Sequence, residues 1–109
     1  MNDRAPKLLF DAIAAIDSAT VFLGDVGLDG YFADAMRRSA VERQLEILGE
    51  TCSRLEKLDA GWSSKIPDIR LAIGLRNRII HGYDAMVFET IAKDLPSLRA
   101  ALAAAMPAE

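Results

Sequence analysis

Between Gly30 and Leu58 the chain contains no proline, and after Gly30 only one glycine, Gly49. Across this stretch Val41, Leu45, Leu48, Cys52 and Leu55 recur at spacings of 4, 3, 4 and 3. That interval matches one face of an α-helix and conflicts with the strict alternation of a half-buried strand. Asp34/Arg38, Arg38/Glu42 and Glu50/Arg54 stand four residues apart, where oppositely charged side chains meet on the wet side of a helix. One helix over 30–58 would be about 40 Å long. That is long for a chain of 109 residues, and part of its surface is expected to pack on another subunit.

The flanking segments carry the same period. From about Ala5 to Leu23, Leu9, Ile13, Ile16, Thr20 and Leu23 define one stripe. Asn2 or Asp3 can cap this helix, Pro6 suits its first turn, and Gly24 and Gly27 end it. Asp59-Ala60-Gly61 breaks the long helix, and Trp62 to Ile66 reads as a connector. Pro67 starts a third helix, Asp68 complements its dipole, and Ile69, Ile73 and Ile80 mark its apolar side. Gly82 and Asp84 punctuate. Asp84 can cap a fourth helix bearing Val87, Phe88, Ile91 and Leu95, until Pro96 interrupts it. A short fifth helix carries Leu98 and Leu102. The expected fold is all-α, a single domain over 1–109, built as an antiparallel four-helix bundle with a short fifth C-terminal helix.

Several function classes fall away. Thirteen basic and sixteen acidic residues give a net charge of −3, so the chain is not a globally basic nucleic-acid binder. The charge is uneven, however: residues 37–78 hold nine basic and six acidic side chains, and residues 1–36 hold two and six. The middle of the chain therefore carries the positive potential. With one cysteine, Cys52, and one histidine, His81, neither an internal disulfide nor a structural zinc site can form, and no metal or cofactor is expected. There is no run of roughly 18 apolar residues and the start does not read as a signal peptide, so the expected location is the cytoplasm, away from any membrane.

One stretch looks chemical. Leu75-Arg76-Asn77-Arg78-Ile79-Ile80-His81-Gly82-Tyr83-Asp84 gathers the only histidine with two arginines, an amide, a phenol and a carboxylate. A guanidinium matches phosphate with a planar fork of donors, and an imidazole moves protons near neutral pH. Together they suit phosphodiester chemistry. The imidazole takes a proton from a ribose 2′-hydroxyl, and the guanidinium stabilises charge developing on the phosphorus oxygens. The same residues also have a purely structural reading, since cations near a helix C-terminus are favoured by its dipole and Tyr83 can be a core-edge aromatic.

The pattern R-x-x-x-x-H-x-Y, with asparagine after the arginine, resembles the signature of the HEPN superfamily, and more narrowly the HepT-like toxins of HepT/MNT toxin–antitoxin systems. The resemblance extends through Ala40-Val41-Glu42-Arg43-Gln44-Leu45-Glu46-Ile47-Leu48-Gly49-Glu50, similar to that family's long second helix. It continues through Trp62 and Ile66-Pro67, and through Asp94-Leu95-Pro96-Ser97-Leu98, similar to its C-terminal helix break. It implies a HEPN-like helical bundle, a homodimer and a metal-independent endoribonuclease acting on RNA. It also implies a cognate antitoxin of the minimal nucleotidyltransferase type. Carried over by residue, Arg76 and His81 are the catalytic pair, Asn77 and Arg78 are supporting, and Tyr83 is the motif tyrosine to which the antitoxin transfers AMP. Gly82 departs from the pattern, where a bulkier or charged residue often stands. The alternative is a non-catalytic HEPN dimer that binds a nucleotide or a nucleotidyltransferase without cutting RNA.

Helix geometry adds a constraint. Arg76 and His81, five residues apart, lie about 140° around an unbroken helix. Either the helix distorts near Gly82 or the site is completed across a subunit boundary. Cleavage through a 2′-hydroxyl uses both a base and an acid, and a two-fold dimer supplies two histidines where one chain has one. The composite dimeric site is therefore preferred. Cys52 reads as a core residue and Trp62 as a packing anchor. Arg37, Arg38, Arg43 and Arg54 read as solvated and ion-paired, and Glu42, Glu46 and Glu50 as a wet ridge. Gly49 reads as a close helix–helix approach.

Overall fold

The computed structural model describes residues 4–80 and 84–107. Among them are seven helices and no strand: α1 (Arg4–Leu23), α2 (Leu28–Ala33), α3 (Ala35–Leu58), α4 (Trp62–Lys65), α5 (Ile69–Ile80), α6 (Asp84–Lys93) and α7 (Leu95–Ala105). The all-α reading holds. The element count is higher than the sequence suggested, because two short helices stand where a continuous helix and a connector were expected.

The first difference is at Asp34. The single helix expected over 30–58 is broken there into α2 and α3. Asp34 has extended backbone, and its carboxylate accepts the Arg37 N–H at 3.0 Å, capping α3. Arg37 then ion-pairs with Asp34 at 3.3 Å, so the expected Asp34/Arg38 pairing does not form. Arg38 turns back onto α2 and donates to the carbonyls of Tyr31 and Phe32. The second difference is at Trp62–Lys65, a single helical turn in place of a connector. Trp62 still packs against the core, with the Lys65 ammonium 4.8 Å from its ring centre.

The long stripe behaves as its spacing requires: Val41, Leu45, Leu48, Cys52 and Leu55 are all fully buried. They are covered within the chain by α1 on one flank and α5 on the other. The stripe therefore does not itself call for a second subunit. In α1 the stripe runs through alanines, with Ala12, Ala15 and Ala19 buried beside Leu9, Ile16 and Leu23, while Ile13 is half-buried and Thr20 exposed. Small side chains there let α1 lie close along α3.

α1 and α3 are antiparallel. At one end Arg37 donates to the carbonyls of Phe22 and Leu23 at 3.0 and 2.8 Å, closing the end of α1. Gly24 supports that end with a φ of +65°, a conformation that a side chain resists. At the other end Arg4 and Lys7 share a hollow with Lys57 and Leu58. α7 lies against α1, tied by the two-pronged Arg99–Asp17 pair at 2.6 and 3.0 Å, and Arg99 holds the Asp17 carboxyl below its ordinary range.

α3 and α5 come into close contact at Gly49. A Cβ placed there would lie 2.9 Å from the Ala72 carbonyl oxygen, so only glycine fits at this separation. This bears out the reading of Gly49 as a close approach. Cys52, one turn along, is a buried free cysteine whose thiol is pushed up to about 12 by desolvation. It is a core residue without nucleophilic character.

Candidate functional site

α5 carries the described part of the motif. The chain enters it through Ile66, whose carbonyl accepts the Ile69 N–H at 3.0 Å, and Asp68, whose carbonyl accepts the Ala72 N–H at 3.1 Å. Ile69, Ala72 and Leu75 are buried at three-residue spacing, which fixes the rotation of the helix. With Leu75 turned into the core, Arg76 and Asn77 are exposed and Arg78 is half-buried.

The helix continues regularly to Ile80, so the angular argument stands through that residue. Arg76 and Arg78 are about 200° apart around it and line different furrows. Arg76 faces α3, in a hollow of about 210 Å³ shared with Arg43, Glu46 and Glu50. Arg78 faces α6, in a hollow of about 230 Å³ with Met86, Glu89 and Lys93 among its walls. The structure thus separates the two arginines that the sequence grouped. His81 and Tyr83 lie outside the described residues, as does Gly82, and α6 is described from Asp84.

The company that Arg76 keeps was not read from the motif. Arg43 pairs with Glu46 at 3.7 Å and Arg54 with Glu50 at 3.2 Å, so each carboxylate in the hollow already has a cation. Both pairs are largely exposed and therefore weak. Arg43 and Arg76 both line this hollow, so it offers two guanidiniums, the donor type that matches a phosphate. The signal that places them together is the crossing at Gly49: α5 passes Gly49 at Ala72, and one turn further along Arg76 faces Arg43 and Glu46. Among the described residues no group of three or more His, Cys, Asp or Glu is placed to hold a metal ion. None of the described helices is long and apolar enough to cross a membrane.

Comparison with known proteins gives a consistent picture. The profile of the family described as "Ribonuclease HepT-like" matches residues 11–105. A protein of Methanocaldococcus jannaschii named "Putative RNase MJ1380" is 29% identical over 106 residues, covering 91% of this chain and 94% of that protein. A protein of Caldanaerobacter subterraneus subsp. tengcongensis named "Putative RNase TTE0752" is 32% identical over 77 residues, covering 67% of this chain and 68% of that one. No solved structure matches the chain at a significant level.

Proposed function

The chain belongs to the ribonuclease HepT-like family, and from that membership we propose that it is a toxin of the HepT/MNT type, a metal-independent endoribonuclease. The observation that carries this reading is the exposed Arg76, which shares a surface hollow with Arg43. In this reading the scissile phosphate sits against Arg76. The neutral imidazole of His81 takes the proton from the neighbouring 2′-hydroxyl, and the oxygen left behind attacks phosphorus. The guanidinium stabilises the added charge in the transition state, and the leaving 5′-oxygen takes up a proton. Asn77, exposed next to Arg76, helps to hold the strand, while Arg78 lies in the separate hollow facing α6. The chemistry needs no metal, and cleavage of an ordinary RNA is expected to persist in a chelator while an all-2′-deoxy strand resists. Loss of all activity in EDTA, or cleavage of the deoxy strand, overturns it.

The site is proposed to be completed in a homodimer, so that the second subunit's histidine serves as the acid. Two features support a contact at the end of the molecule where α3 starts. Phe32 and Met36 are exposed there, Met36 by 85%. α5 also runs towards that end, from the level of Gly49 at Ala72 to that of Arg43 at Arg76. Light scattering at micromolar concentration is expected to give a dimer; a monomer that keeps its activity overturns the composite site.

The proposed partner is a minimal nucleotidyltransferase that transfers AMP from ATP to the Tyr83 hydroxyl, with release of pyrophosphate. The adduct places a negative charge and a nucleotide two residues from His81. That charge competes for the guanidinium which the RNA phosphate needs, and the base fills the space the strand would occupy. Tyr83→Phe is expected to fold and to escape inactivation by the partner and ATP. A variant silenced as fully as the wild type, or an adduct found elsewhere by mass spectrometry, contradicts the role of Tyr83.

A further inference from the structure

The hollow at Arg76 does not end there. Arg43, Glu46 and Glu50 also line a groove of about 410 Å³ between α1 and α3. That groove shares Asp11 and Arg54 with a third hollow, of about 670 Å³, at the far end of the same seam. Adjoining through these shared side chains, the three are taken together as one trough, and along α3 its basic residues run from Arg43 to Lys57, about 21 Å.

Among the described residues six basic side chains line it: Arg4, Lys7, Arg43, Arg54, Lys57 and Arg76. Against them stand three acids, Asp11, Glu46 and Glu50, each ion-paired with a basic residue of the same trough. The trough therefore carries an excess of three positive charges in a chain whose net charge is −3. Its floor is apolar in part, with Leu8 and Leu58 in the far hollow and Ala14, Ala15 and Ile47 in the groove. Among the described residues no aromatic side chain lines it, and what its described walls offer is charge for a backbone.

We propose that this trough is a substrate track, in which the α1–α3 seam holds the phosphates of single-stranded RNA several nucleotides away from the bond cut at Arg76. The inference rests on the ribonuclease reading above and adds a length requirement to it. The exposed ion pairs open readily, because a phosphate oxygen replaces the carboxylate on the same cation. The far hollow, at the opposite end of the seam from Arg76, contributes binding independent of base sequence, through Lys7 and Lys57.

The test is a Lys7→Ala/Lys57→Ala double variant, probed with a non-cleavable 2′-O-methyl RNA of about twenty nucleotides and one of about four. Binding measured by anisotropy reads the track without requiring cleavage. The longer RNA is expected to bind about tenfold more weakly to the variant. The slope of log affinity against log salt is expected to fall by about 1.4, or about 0.7 for each lost phosphate contact. The shorter RNA is expected to bind both proteins alike. With cleavable RNA, the KM for the longer strand rises in step. Equal affinity and equal salt slope for the longer RNA overturn the track, and so does loss of the dimer with RNA binding unchanged, which makes the seam a protein interface. A wild type that binds the longer RNA as described but cuts no RNA overturns the ribonuclease reading and leaves the track standing.

Discussion

Replacing His81 by alanine is expected to slow RNA cleavage by about two to four orders of magnitude, the usual contribution of a general base or acid. Arg76→Ala is expected to lose about two to three, the scale for a group that stabilises charge in the transition state. Arg76 is exposed on α5, with Leu75 beside it anchoring the helix. Its loss should therefore leave the thermal unfolding curve in place, so that lost activity is not lost fold. Arg76→Lys is expected to recover only part of the rate, since an ammonium keeps the charge but not the fork. His81 is the chain's only histidine, so no neighbour can substitute for it. Single-turnover rates with excess enzyme give these losses directly, and either alanine variant cutting at the wild-type rate contradicts the assignment of its residue.

The second large effect concerns Gly49. Helix propensity alone makes Gly→Ala inside α3 stabilising by about 1 kcal/mol. The structure reverses the sign. The new methyl would sit 2.9 Å from the Ala72 carbonyl oxygen, which belongs to helix backbone and cannot rotate away. α5 has to move, and overpacking of this kind costs about 1–3 kcal/mol, so a net loss is expected. Displacing α5 also shifts Arg76 against Arg43, and misplacement of a catalytic group by about 1 Å can cost a hundredfold in rate. Gly74, on the same α5, is the control: nothing lies within 4 Å of a Cβ placed there. Gly74→Ala is expected to stabilise by about 0.5–1 kcal/mol. Urea unfolding of the two variants checks both signs, and a Gly49→Ala protein as stable as Gly74→Ala would show that the two helices are not so close.

What could be read in the sequence followed from local chemistry. The period of Val41 to Leu55 gave α3 its buried face, because 3.6 residues per turn leaves no other way to cover those side chains. Pro96 falls in the first turn of α7, and Gly24 closes α1, each for its backbone alone. The break at Asp34 was not legible. No glycine or proline marks it, and an aspartate serves equally as a solvated helix residue or as a cap. Its pairing with Arg37 in place of Arg38 followed from that break. The burial of Tyr31, whose ring packs on Phe88 with centroids 5.7 Å apart, depends on α2 meeting α6. Arg43, Glu46 and Glu50 were visible only as one wet helix face. Their meeting with Arg76 depends on the register of α5 against α3, a tertiary fact that spacing along one segment does not contain. The motif stood out in the sequence because the only histidine stands within a few residues of two arginines and one of two tyrosines.

The chemistry of the cut ends tests the central claim most directly. Attack by a ribose 2′-hydroxyl leaves a 2′,3′-cyclic phosphate, or the monophosphate formed by its hydrolysis, on one fragment and a free 5′-hydroxyl on the other. RNA cut by the purified protein in excess chelator, analysed by mass spectrometry of the fragments, is expected to carry those ends and to be left intact by His81→Ala. Fragments bearing a 3′-hydroxyl and a 5′-phosphate, or cyclic ends produced equally by His81→Ala, would contradict the roles given to Arg76 and His81.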